Sequence, residues 1–142
     1  MITRAIKTAF EVKKQRNWQK TFWAFDIHGT ILKPNYRKGN LPEEFYPYAK
    51  EVLQLISHQP DIVTILYTCS YQHEAIQYIE FFKTHGIRFD YVNENPEVCN
   101  DHGCYDEKPY FNVLFEDKAG FDPLEDWQKV TEFLRELRGE QG

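Results

Sequence analysis

Apolar positions recur along this chain in two alternating rhythms. Ile2, Ala5, Ile6, Ala9 and Phe10 fall at helical spacing with cations between them, which predicts an amphipathic helix over Thr3–Gln15. A basic helix of this kind fits a membrane surface or nucleic acid less readily than it fits packing on its own domain. Thr21–Asp26 then reads as a strand, followed by a Gly- and Pro-containing loop from His28 to Pro42. Pro42 with Glu43 and Glu44 predicts the opening of a second helix, running to about His58 with Tyr48, Val52, Leu55 and Ile56 as its stripe. Pro60 and Asp61 break the chain, and Ile62–Tyr67 is a β-branched run of central-strand type.

The alternation continues to the end. Gln72–His85 predicts a third helix with Ile76, Ile79 and Phe82 on one face and Gly86 as its stop, and Arg88–Val92 a short third strand. Asn93–Pro109 is a polar loop, long for a compact domain. Tyr110–Phe115 predicts the fourth strand, and Leu124–Arg138 a last helix carrying Trp127, Val130, Phe133, Leu134 and Leu137. Strand and helix in alternation imply an α/β class: a three-layer, Rossmann-like fold with a mostly parallel central sheet and helices on both faces.

Composition narrows the reading. A chain of 142 residues suits a single domain, and its 42% hydrophobic content argues against disorder. The net charge of −5 gives no basic footprint, so nucleic acid is not favoured as a partner. Met1–Lys20 is broken by charges before any apolar run of spanning length appears, and three cysteines without a secretory signal suit a reducing compartment. A cytoplasmic protein without a membrane partner is the expectation. Cys99, His102 and Cys104 lie close in sequence, yet their spacing matches no standard zinc pattern.

Chemistry gathers at the predicted strand ends. Phe22–Phe25 ends in Asp26, and in an open parallel sheet ligands bind at the carboxyl ends of the strands. The other strand ends add Thr68, Cys69 and Ser70, then Lys108 before the fourth strand, then Glu116, Asp117 and, past the turn, Asp122. A carboxylate nucleophile, a hydroxyl, a cation and further acids to hold a hard cation are what phosphoryl transfer requires. Singly, each has a plain structural role: Thr68 and Asp122 suit helix caps, and Lys108 beside Pro109 suits solvated surface.

Asp26-Ile27-His28-Gly29-Thr30 resembles motif I of the haloacid dehalogenase (HAD) superfamily, usually Asp-x-Asp-x-Thr, and the other three motifs follow in order across most of the chain. The resemblance implies an Mg2+-dependent phosphatase acting on phosphate monoesters through an aspartyl phosphate. Asp26 would be the nucleophile, Thr68 and Cys69 would bind substrate, and Lys108 would neutralise the phosphoryl charge. Asp26, the backbone carbonyl of His28 and Asp117 would hold the metal, with Glu116 sharing that role or acting through water.

His28 stands where the family's phosphatases carry their acid–base aspartate, and its ordinary pKa near 6.5 suits both halves of that role. The alternative is a weak or inactive module that keeps the fold and binds phosphate and metal. The intervals Ile31–Tyr67 and Cys69–Glu107 are filled by predicted elements, leaving no room for the family's large caps, so residues 1–142 read as one capless domain. An open site of this kind suits a macromolecular phosphate or closure by a second copy in a homo-oligomer. Tyr36, Tyr105 and Tyr110 are the expected aromatic substrate contacts.

Overall fold

The structure, a computed structural model, describes residues 1–34, 41–98 and 109–141. Four parallel strands form one sheet in the order β3-β2-β1-β4, with β1 Thr21–Phe25, β2 Ile62–Leu66, β3 Tyr91–Val92 and β4 Val113–Phe115. Four helices flank it: α1 Ile2–Gln15, α2 Ala49–Ser57, α3 Gln72–Thr84 and α4 Asp126–Gln141. The fold is α/β and Rossmann-like, as the alternation of periods predicts. No described helix is long and apolar enough to cross a membrane.

Period-two alternation sorts the strands into two faces. Trp23 and Phe25, with Ile62, Leu66, Val113 and Phe115, turn toward a core that takes side chains from all four helices. Phe22, Ala24, Val63 and Ile65 turn the other way, onto Trp18, Tyr91, Val98, Tyr110, Phe111 and Leu114. Right-handed crossovers explain the split. From β1 to β3 the chain steps in one direction, whereas β4 lies on the other side of β1, and the described residues Val98, Tyr110 and Phe111 between β3 and β4 pack on the opposite face.

Several element boundaries differ from the periodicity, each for a local reason. The second helix begins at Ala49, not Pro42. Pro47 disfavours helical backbone at Tyr46, and Phe45 is engaged in an antiparallel bridge to Leu32. Its buried face is Ala49, Val52, Leu53 and Ile56, while Tyr48 and Leu55 are 55% and 36% exposed.

On α3 the inward face is Ala75, Tyr78 and Phe82, and Ile76 is 60% exposed. A step of seven residues returns to nearly the same azimuth on a 3.6-residue helix, whereas a step of six does not. β3 is shortened because the Asp90 carboxylate, in place of a backbone carbonyl, accepts the Thr64 N–H at 2.8 Å. β4 starts only at Val113 because the Asn112 side chain takes the Phe22 N–H at 2.8 Å. α4 starts at Asp126, after a turn in which Asp122 accepts the Leu124 N–H at 3.0 Å.

Asp61 pins the edge of the sheet away from the strand carboxyl ends. Arg138 of α4 donates to both of its oxygens, at 2.6 and 2.9 Å, and Lys13 of α1 lies 3.5 Å away. Burial alone would raise the Asp61 pKa, but the bonds and charges of Arg138 and Lys13 prevail and hold it below the ordinary carboxylate value. A depressed carboxylate adds stability above its unfolded pKa, and that stability is lost as pH falls through the folded value. Arg138→Gln is therefore expected to cost about 1–2 kcal/mol at pH 7. In urea unfolding, that difference should shrink toward zero as the pH is lowered past the depressed Asp61 pKa.

Candidate active site

The order β3-β2-β1-β4 reverses direction between β1 and β4, and a parallel sheet opens a crevice at such a reversal. Asp26 follows β1 and Glu116 follows β4. The Asp26 N–H donates to the Phe115 carbonyl at 3.0 Å, which carries the β1–β4 ladder one residue past the strands and sets the two acids side by side. Beneath them Phe25 stacks on Phe115 at 4.4 Å between centroids, and Phe115 on Trp127 at 5.7 Å. The carboxylates stand on an aromatic floor.

Oxygens of Asp26, Glu116 and Asp117 all lie within 4.8 Å of one another. Burial first, then the charges of Glu116 and Asp117, push the Asp26 pKa up to about 6 from 3.8. Three hard oxygen donors at this separation fit a divalent cation such as Mg2+ or Ca2+.

Thr30, fully buried, holds the group together. Its hydroxyl lies 3.4 Å from Asp26 Oδ2 and 3.5 Å from Asp117 Oδ1, and it accepts the Asp117 N–H at 3.0 Å. Trp127 in turn donates its indole N–H to the Thr30 carbonyl at 2.9 Å. Gly29 makes the approach possible. Its φ is +79°, and a Cβ there would sit 2.7 Å from Asp117 Oδ2.

Across the cleft, Thr68 follows β2. Asn93 grips its backbone from both sides, accepting the Thr68 N–H and donating to the Thr68 carbonyl, each at 2.8 Å. The Thr68 hydroxyl lies 2.8 Å from the Ser70 hydroxyl and accepts the Ser70 N–H at 3.1 Å. Cys69 is an exposed free thiol on the same wall. The whole cleft, about 840 Å³, is lined by Asp26, His28, Thr68, Glu74, Asp117 and Lys118 among others.

His28 is also in this wall, with its Nε2 2.6 Å from the Tyr78 hydroxyl of α3. Burial lowers its pKa below 6.5, opposed by the charge of Glu74.

Of the residues singled out in the sequence, Asp26, His28, Thr68, Cys69, Glu116 and Asp117 share this one cleft. The His28 imidazole is not among the three side chains grouped as metal donors. Asp122 is a turn residue at the start of α4, as its plain structural role suggests. Lys108, Cys99, His102, Cys104, Tyr36 and Tyr105 lie outside the described residues.

Tyr110, expected as a substrate contact, belongs instead to the opposite face, packed on Trp18 and Phe22 and hydrogen-bonded to Arg16 at 3.1 Å. Tyr110 lies before β4, outside the strand, and packs with its neighbour Phe111 on the second face of the sheet. Thr30 was legible as the last residue of the pentapeptide. Asn93 and Tyr78 carry no signal in a single sequence, and Lys118, which lines the cleft, was hidden by its place after two acids.

No protein-family model matches the chain, and no curated protein matches it significantly in sequence. Among solved structures it resembles a conserved protein from Bacteroides thetaiotaomicron, with a TM-score of 0.63 and 24% identity over 82% of this chain and 91% of that one. At that identity the likeness concerns the fold.

The raised Asp26 pKa has a stability consequence. A group whose folded pKa is raised contributes stability that is present below its unfolded pKa and lost as pH rises through the folded value, here about 6. Without metal, Asp26→Asn is thus expected to be more stable than the native chain above pH 6, by about 1–2 kcal/mol, and equal to it below pH 4. Chemical unfolding at pH 4 and pH 7.5 in chelator checks this. Gly29→Ala is expected to lose about 1–3 kcal/mol from the left-handed backbone and the Asp117 contact.

Proposed function

We propose that the chain is a capless HAD-type phosphatase, a magnesium-dependent phosphomonoester hydrolase. The reading rests on one observation above the others: Asp26 converges with Glu116 and Asp117 to within 4.8 Å at the β1–β4 crevice, opposite the Thr68 hydroxyl. Four acids and one described lysine line the cleft, so a phosphate dianion entering it needs added positive charge. Asp26, Glu116 and Asp117 would hold the Mg2+, which supplies that neutralisation.

In this reading an Asp26 oxygen attacks phosphorus, and the bond from phosphorus to the ester oxygen breaks. The departing oxygen takes a proton from the His28 imidazolium. Water then gives a proton back to the imidazole and attacks the aspartyl phosphate, releasing inorganic phosphate and restoring the Asp26 carboxylate. Thr68 hydrogen-bonds the phosphoryl oxygens, and Lys108 offsets their charge. Lys118 is a second cation on the lip of the cleft. In the metal-free protein a pKa of about 6 leaves Asp26 mostly ionised at neutral pH, and a cation beside it would favour the carboxylate further.

A second reading, a weak or inactive module that binds phosphate and metal, is favoured by one detail. His28 has its Nε2 bonded to Tyr78 and burial lowers its pKa, which makes the imidazolium scarcer than in a free histidine.

Hydrolysis of para-nitrophenyl phosphate between pH 5 and 8 separates the two. The enzyme requires turnover that depends on Mg2+ and disappears in Asp26→Asn. His28→Ala should be slower by roughly 10²- to 10⁴-fold. Mg2+ and phosphate binding without turnover by the native chain would select the module instead.

A further inference from the structure

The cleft also carries apolar and aromatic surface that its acids do not use. Tyr67 follows β2, and its N–H donates to the Phe25 carbonyl at 2.8 Å, which continues the β1–β2 ladder and sets Tyr67 alongside Asp26. Leu66 turns into the helical core, so Tyr67 turns to the other face of the sheet, where its ring meets Phe111 at 5.7 Å between centroids. Tyr67 is 37% exposed and lines the cleft together with Leu114 and Pro109. Tyr71, the residue before α3, lines it too, and is 74% exposed even with the His73 ring parallel to it at 5.8 Å.

Scattered apolar residues on a surface are ordinary. Two tyrosines opening into one cleft of about 840 Å³, one of them alongside Asp26, form a seat for a flat ring. A tyrosine ring is large, stiff and amphipathic, so it gains by stacking while losing little side-chain freedom.

We propose that Tyr67 and Tyr71 bind the leaving group, and that the substrate is a phosphate monoester whose leaving group carries a planar aromatic ring, from a nucleoside or a simple aryl group. The proposal rests on the phosphatase reading, which puts the phosphoryl group between Asp26 and Thr68. Charge narrows the class further. Glu74, in the first turn of α3, lines the same cleft as Asp26, Glu116 and Asp117. A second phosphate on the leaving group would meet that carboxylate, whereas a neutral ring would not. A monophosphate is thus favoured over a diphosphate.

Calorimetric titration of the full chain with phenylphosphonate and methylphosphonate, in Mg2+, tests this without turnover, since a carbon–phosphorus bond is not an ester. The two probes share the anionic head and differ in the ring. Phenylphosphonate is expected to bind about 5- to 150-fold more tightly, the range for one ring stacked on aromatic side chains. That ratio should fall toward one in Tyr71→Ala and in Tyr67→Ala, and persist in Tyr71→Phe, which keeps the ring. Whichever of adenosine and benzyl alcohol displaces phenylphosphonate at the lower concentration assigns the ring to a nucleoside or to a simple aryl group.

A native chain that binds the two phosphonates equally, or binds neither, overturns the proposal, and this titration decides even if Tyr67→Ala does not fold. An unchanged ratio in either folded alanine variant overturns it too. Hydrolysis of para-nitrophenyl phosphate keeps the two readings apart. Turnover without a ring preference leaves the phosphatase and removes the aromatic seat, whereas a ring preference without turnover supports the role of the tyrosines and removes the phosphatase.

Discussion

Three carboxylates held within 4.8 Å of one another are the constraint around which this molecule is built. At an effective dielectric of about 20, two ionised groups at that distance repel by about 3–4 kcal/mol, comparable to a large part of a domain's net stability. The fold contains this repulsion in three ways. The β1–β4 ladder fixes the backbones of Asp26 and Glu116. Thr30 places one hydroxyl beside both Asp26 and Asp117. Asp26 also keeps its proton up to about pH 6, which lowers the charge before any cation arrives. Each of these depends on something deeper: the stack of Phe25, Phe115 and Trp127 is the floor, and the Trp127 indole locks the Thr30 loop to it.

The two long edges of the sheet do different work. At the amino ends, Asp61 is met by Arg138 and Lys13, so unlike charges tie α1 and α4 to the entry of β2. At the carboxyl ends, like charges gather with no comparable cation beside them among the described residues. The fold thus gains stability at one edge and gives some up at the other, where its acids converge at a separation that could hold a cation. The left-handed Gly29 is the smallest sign of the same demand, since only the absence of a Cβ admits the Asp117 carboxylate.

The two walls of the cleft are held by different means. Asp26, Glu116 and Asp117 are placed by the ladder and the aromatic floor, whereas Thr68 is placed by the Asn93 side chain and His28 is met by Tyr78. In both latter cases a single side chain from elsewhere makes the contact, Asn93 to the Thr68 backbone and Tyr78 to the His28 imidazole. The exactness of the second wall therefore rests on a few polar contacts, and α3, which carries Tyr78 and Glu74, is the element through which the core bears on it.

Much of this was legible in the sequence because it is local. The alternation of periods, the apolar run ending in Asp26 and the acids after the fourth strand are properties of neighbouring residues, and they placed Asp26, Thr68, Glu116 and Asp117 at strand ends. What failed also has a local cause: Pro47 and the bridge of Phe45 to Leu32 delay α2, and side chains of Asp90 and Asn112 stand in for ladder carbonyls. Sequence by itself determined the α/β class, the strand-end acids and the pentapeptide loop, since backbone propensity and side-chain period act over a few residues. Only the tertiary structure decided that Tyr110 faces away from the cleft, that Asn93 holds Thr68 and that Tyr78 meets His28. Those contacts join residues 25 to 94 positions apart, and which of many side chains meet is fixed by strand order and crossover hand, not by any local pattern.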